Sequence, residues 1–309
     1  MRSPLQGGLP PAGAPGGAVL EIACDESGFS GANLLRSTEP VITHASVDLS
    51  VAEAVDLIAG LGLSAYELKS GRFLRRPDAA VALDRLMTAL RGRAHVHRID
   101  KELFLVTQVV ELLLAEPSYR SLTRGPLPEA HDLYRARSVG GDWDRFLAAF
   151  ADMVRTRRRI PGRAGAARFL QARDTLARIG GPAGAVLERI TDDRVTAIVS
   201  RLDDGDRTIP PPLEPMIAAL AATIRHWSAR QRPILVIHDE QSALTAARLA
   251  RLQRALAVGD GPSPLAGLVT ADSRDDPRIQ LADLLAGVAR RMPSALPGAG
   301  RLAEPPRAG

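Results

Sequence analysis

Lysine is nearly absent from this chain, cysteine occurs once and aromatic residues are scarce. Each shortage excludes something. The single thiol, Cys24, cannot close an internal disulfide or build a thiolate cage, so a disulfide scaffold and a zinc-finger fold are ruled out and a reducing, cytoplasmic setting is expected. Aromatic residues make up 4% of the chain, too few for a platform on which successive bases of a single strand would stack. No run of about 18 apolar residues occurs. The longest candidate, ELFLVTQVVELLLAEP, has charges at both ends and Gln108 and Glu111 inside it, so the sequence reads as soluble with no membrane partner. Nothing in it signals an oligomeric state.

The two lysines are Lys69 in YELKSG and Lys101 in RIDKEL. Against them stands a basic complement made of arginine, a choice that GC-rich coding alone can produce, so the net charge of +5 is a weak guide to partners. Lysine is a compact point charge whose pKa can move, whereas arginine stays charged and planar. The two positions therefore stand out, although a solvated surface accounts for them equally well.

What is present is 45% hydrophobic residues in a chain of 309, enough for a sizeable core. Residues 1–17, MRSPLQGGLPPAGAPGG, and residues 292–309 are rich in Pro and Gly and are expected to be disordered tails; the first lacks the apolar segment of a signal peptide. Residues 18–291 are expected to form a single α/β domain. VLEIACD, VITHASVD, HVHRIDK, ILVIHDE and LAGLVTAD read as strands bounded by turn formers. SVAEAVDLIAGLG and PDAAVALDRLMTALRG read as helices, with Ser50 and Asp78 at or near their starts. A long helical insertion is expected at about 115–212.

Two of these strands end in acid pairs. LEIAC runs into Asp25 and Glu26, and ILVIH runs into Asp239 and Glu240. Side by side in one sheet, they would gather carboxylates at its rim, where repulsion calls for a multivalent cation. A late helix adds a third acid. In DDPRIQLADLLAGVARR, Asp276 is placed to cap the helix and Pro277 fits its first turn. Gln280, Asp283 and Gly287 share one face among apolar neighbours, so Asp283 is expected to be partly buried on a helix whose small residues permit close approach.

The set ACDESG, then ELK after the first helix, a strand ending in HDE, and DS followed by IQLADLLAG is similar, over roughly residues 19–291, to the family called domain of unknown function 3800. The resemblance implies an RNase H-like fold, a mixed sheet flanked by helices, with acidic residues that bind divalent metal. It matches Asp25 and Glu26 to the first motif, Glu67 and Lys69 to the second, Asp239 and Glu240 to the third, and Asp272, Ser273, Gln280 and Asp283 to the last. A fold alone does not fix function.

The chemistry such a site could run is phosphodiester hydrolysis by two divalent ions about 4 Å apart, which activate water and stabilise the leaving oxygen. Oxygen ligands suit Mg²⁺ or Mn²⁺. Asp25, Glu67, Asp239 and Asp283 are the expected ligands and, with Lys69, the expected catalytic set; Ser273, Gln280, Glu26 and Glu240 are expected around them, the last two pointing away because side chains alternate along a strand. The expected activity is that of a metal-dependent nuclease on DNA or RNA. The alternatives are a non-catalytic nucleic-acid or protein-binding module and a metal-dependent nucleotide phosphohydrolase. His95 and His97 share a strand face, but no further His or Cys is spaced to complete a zinc site. For nucleic acid, RTRRRIPGR offers Arg155, Arg157, Arg158, Arg159 and Arg163, continued at helical spacing by Arg168, Arg173 and Arg178, as a stripe that would neutralise phosphates; a solvated helix face explains it as well.

Overall fold

A run of consecutive buried residues, Ile22 to Asp25, sits in β1, Leu20–Ser27, and the chain continues through β2, Val41–Val47; α1, Val51–Gly60; α2, Ser70–Phe73; α3, Ala79–Ala89; and β3, Ala94–Asp100. Seven helices follow: α4, Lys101–Leu113; α5, Pro128–Tyr134; α6, Gly141–Val154; α7, Gly162–Ala177; α8, Gly181–Glu188; α9, Asp192–Asp203; and α10, Pro215–Ser228. Then come β4, Ile234–Asp239; α11, Ala246–Leu256; β5, Leu265–Ala271; and α12, Pro277–Arg291. This computed structural model describes residues 8–11, 19–29, 31, 33–36, 39–63, 68–155, 162–229, 232–257 and 261–293. The architecture is mixed α/β, a five-stranded sheet in the order β3-β2-β1-β4-β5 flanked by helices. No helix among the described residues is long and apolar enough to cross a membrane.

The chain divides into two compact units, one made of residues Met1–Phe29, Val41–Arg98 and Ala222–Gly309, the other of Ser30–Pro40 and Ile99–Ala221. The helical unit thus begins well before the expected residue 115 and takes in a segment from between β1 and β2. Backbone bonding explains it: the Lys101 N–H donates to the Pro40 carbonyl at 3.0 Å, tying Ser30–Pro40 to the start of α4. Asp100 caps α4 by accepting from the Leu103 N–H at 2.9 Å and takes the Tyr134 hydroxyl at 2.7 Å. Within that unit α4 is buried nearly all round, Lys101 included, and the fully buried Trp143, Phe146, Phe150 and Phe169 gather much of the chain's scarce aromatic surface.

In the sheet unit β1 pairs antiparallel with β2 and parallel with β4, and β4 pairs parallel with β5. One face, carrying Ala23, Ala45, Val47 and Ile237, packs on α1, α3 and α12. From α12 come Ile279, Leu281, Leu284, Leu285 and Val288, all buried, each worth roughly 1.5–3 kcal/mol relative to exposure. Two of the expected caps form: Ser50 and Glu53 make a reciprocal capping box at α1, and Asp276 accepts from the Arg278 N–H at α12. Asp78 stands at the cap position of α3 but makes no cap bond, because its carboxylate is taken by Arg76 at 2.7 and 2.8 Å.

Residues Gly8–Pro11, expected within a disordered tail, are held against the sheet instead. Leu9 forms an antiparallel bridge to Leu268 of β5, with both N–H···O bonds at 2.7 Å. Room for it comes from Gly267, where a Cβ would lie 2.7 Å from the Leu9 carbonyl oxygen and 2.9 Å from Pro11. Gly267→Ala is therefore expected to cost on the order of 1–3 kcal/mol, the range for overpacking. Hydrogen exchange of the Leu268 amide should accelerate with it; an unchanged rate at that amide would show the bridge is not what protects it.

Candidate active site

The register of β1 against β4 sets Cys24 opposite His238, so the next residues, Asp25 and Asp239, lie on neighbouring strands. Alternation sends Asp25 to the face of Ala23, the side covered by α12. There its carboxyl is buried and faces Asp283 and Asp239. Burial comes first, then the charges of Glu26, Asp283 and Asp239, in pushing its pKa well above the usual carboxylate range; the Glu26 N–H, donating to Asp25 Oδ1 at 2.6 Å, opposes them. Asp283 is partly buried, as expected from its helix face, and its Oδ2 lies 3.5 Å from Lys69 Nζ. Lys69 is largely exposed, so this ion pair contributes at most about 1 kcal/mol. Asp239 Oδ1 accepts from the Ser273 N–H at 3.3 Å. Thr43 ties the sheet to α12 by donating to the Ala286 carbonyl at 2.7 Å.

The other residues expected around the site divide. Glu26 alternates to the opposite face, where Gln241 Nε2 donates to it at 2.5 Å; burial raises its pKa, opposed by His238 and by this amide. Glu240 is exposed and Gln280 is buried in α12. Asp272 pairs with Arg274 and accepts the Arg274 N–H, which makes it a turn residue. Glu67 lies outside the described residues, as do Arg157, Arg158, Arg159 and the side chain of Arg163. The rest of the arginine stripe does not stand as one surface. Arg155 donates to Asn33 at 3.0 Å, and Arg173 is largely buried against Asp174, Asp192 and the Ile190 carbonyl, so its charge is already matched; Arg168 and Arg178 are exposed.

Sequence reading missed a histidine network on the opposite face. His44 of β2 and His238 of β4 are fully buried, their Nε2 atoms 3.1 Å apart; His44 Nδ1 lies 2.8 Å from Thr223 Oγ1 and His238 Nδ1 lies 2.9 Å from the Asp239 carbonyl. A carbonyl only accepts, so His238 Nδ1 carries a proton. Burial, then His238, His97 and His95, hold His44 well below the usual imidazole range, so it is neutral. Thr223, His44 and His238 thus form one buried polar chain that ends with His238 Nδ1–H donating to the Asp239 carbonyl. The polar chain grips the end of β4 where Asp239 sits. His95, held down at about 3 by burial, His226 and His97, stacks on His226 with ring centroids 3.8 Å apart. Each strand shows its histidine in the sequence, but the pairing follows only from a register that no local pattern reveals. Cys24 is buried and its thiol pushed up by burial and Asp25, which removes it as a nucleophile.

The donors gathered near Asp25 are all oxygens, a set whose chemistry suits a hard divalent cation. Among the described residues no group of three or more His, Cys, Asp or Glu side chains is arranged to hold a metal ion. No family model, curated protein or solved structure matches the chain.

α12 approaches the sheet, as expected, bringing the Ala286 carbonyl to Thr43, and at Gly287 it also meets α2. A Cβ on Gly287 would lie 2.5 Å from Ser70 Cβ, so α2 packs on α12 where only glycine fits, and Lys69 is carried to Asp283 by that packing. Gly287→Ala should destabilise by on the order of 1–3 kcal/mol, and Ser70→Gly should recover most of it in the double variant. Purely additive losses in that cycle would disprove the contact.

A pH dependence follows from Asp25. A carboxyl whose pKa is raised on folding binds its proton more tightly in the native state, so stability falls as pH rises from the ordinary aspartate range through the raised value. In EDTA, wild-type melting temperature is expected to decline over that window and Asp25→Asn to flatten the decline, the gap between them widening with pH. Parallel curves would remove the burial argument.

Proposed function

We propose that this chain is a divalent-metal-dependent nuclease of RNase H-like fold, related to the family called domain of unknown function 3800. The observation that carries the proposal is the buried Asp25 carboxyl facing Asp239 and Asp283 across two parallel strand ends and one helix. Its order in the chain supports it too, since the same acids carry the motif resemblance.

In this reading Asp25, Asp239 and Asp283 would hold Mg²⁺ or Mn²⁺, with Glu67 added by its motif. When bound, such ions supply a water of lowered pKa and neutralise charge on a phosphodiester. The chain's own groups do the rest. Ser273 N–H fixes one oxygen of Asp239, leaving the other for a cation. The Thr223, His44 and His238 chain holds the backbone at Asp239, and Gln241 holds Glu26, whose charge still acts on Asp25. Lys69, at Asp283, would exchange that carboxylate for a substrate phosphate once a cation takes its place.

Two measurements test it. Mn²⁺ at about 100 times its Kd should stabilise the wild type by about 2.7 kcal/mol, and Asp25→Asn and Asp239→Asn should abolish the gain. Labelled DNA and RNA should be cut by the wild type with Mg²⁺ or Mn²⁺, not with EDTA, and not by Asp25→Asn. Binding without cleavage under every metal would favour the non-catalytic module instead.

A further inference from the structure

The acids of the site are flanked by a patch of positive charge that the arginine-stripe reading did not include. Lys69, Arg72 and Arg75 lie on or beside α2, all exposed, and Arg291 ends α12, also exposed. Two of these converge. The missing side chain of Gly71 leaves a space whose Cβ position is 3.7 Å from Arg75 Nη1 and 3.6 Å from Arg291 Nη2. Both guanidinium groups therefore border one small opening in which two like charges face each other. Among the described residues no carboxylate pairs with Arg72, Arg75 or Arg291; Arg291 is held instead by the Ser70 hydroxyl at 2.5 Å and, at 3.4 Å, by the Gly287 carbonyl. Those neutral acceptors orient the guanidinium without neutralising it.

Converging cations with neutral supports form an anion site, because an anion between them turns repulsion into two charge-assisted bonds. The anion's nature follows from the neighbours. Ser70, bonded to Arg291, directly follows Lys69, and Lys69 is paired with Asp283, so the opening over Gly71 stands beside the acid cluster on the same two helices. We infer that Gly71, Arg75 and Arg291 form a cradle for a backbone phosphate of a nucleic-acid strand whose neighbouring phosphodiester lies at the carboxylates. This deepens the nuclease reading and rests on it for the direction of the strand, whereas phosphate binding by the cradle does not need catalysis. The cradle carries no base code, so it serves any sequence.

The test is binding of a fluorescein-labelled oligonucleotide to the full chain by anisotropy, in EDTA, over a range of NaCl concentrations. Arg75→Gln with Arg291→Gln should weaken binding and reduce the slope of log affinity against log salt by about 0.7 to 0.9, the release expected for one phosphate contact. Gly71→Leu keeps both charges and fills the opening, so it should weaken binding too, and it covers the case in which the double variant fails to fold. Wild-type affinity and slope in a folded double variant, or in Gly71→Leu, would overturn the cradle. So would arginine-dependent binding to phosphatidylserine vesicles with oligonucleotide binding unaffected. The two readings fail separately: loss of metal-dependent cleavage in the wild type with arginine-dependent binding intact removes the nuclease and leaves the cradle, and the converse removes only the cradle.

Discussion

Parallel pairing of β1 with β4 is the constraint on which the rest of the sheet unit depends. It joins the first strand of the chain to one that follows the whole helical unit, and a parallel partner cannot be reached by a tight turn. Once it is made, β2 and β5 have edges to pair with, and α12 has a surface to cover. The acids come together by the same act, since their separation along the chain is closed by backbone bonds that involve no carboxylate. Pairings between distant segments carry a loop-closure cost before they return any contact, so this one belongs late in folding.

The two faces of that sheet solve opposite problems with polar groups. On one, Asp25 is buried beside the partly buried Asp239 and Asp283, and its burial first, then the neighbouring charges, raises its proton affinity. On the other, two imidazoles are buried with each ring nitrogen partnered, a chain of polar contacts in a setting of low dielectric. The first arrangement is costly and the second satisfied.

Most of this architecture was legible because it is written in local patterns. Apolar, β-branched runs bounded by turn formers gave the five strands to within a few residues, and Ser50, Asp276 and Pro277 marked helix starts. Asp283 was placed on a partly buried helix face from its small and apolar neighbours alone. What stayed hidden depends on tertiary register: the bond from His44 to His238, the turn of Gln241 to Glu26, and the meeting of Gly287 with Ser70. Composition misled at two places. The Pro and Gly content around residues 8–11 signalled disorder, yet those residues bridge to β5; and arginine spacing along α7 suggested a stripe open to phosphates or to solvent, where Arg173 is buried against its own partners.

The bridge at Leu9 has a bearing on how copies of this chain behave at high concentration. β5 ends the sheet, and the outer backbone groups of an edge strand are a template for any other strand that meets them. Here Leu9 occupies the N–H and carbonyl of Leu268, while Gly267 presents no side chain that would obstruct a newcomer. Among the described residues the cover is Gly8–Pro11, held by the two Leu9 bonds and by the Gly8 N–H on the Leu244 carbonyl. Wherever that latch opens, the backbone of Leu268 meets the surroundings as an unpaired edge, so shielding of this edge rests on a few backbone bonds and not on the core.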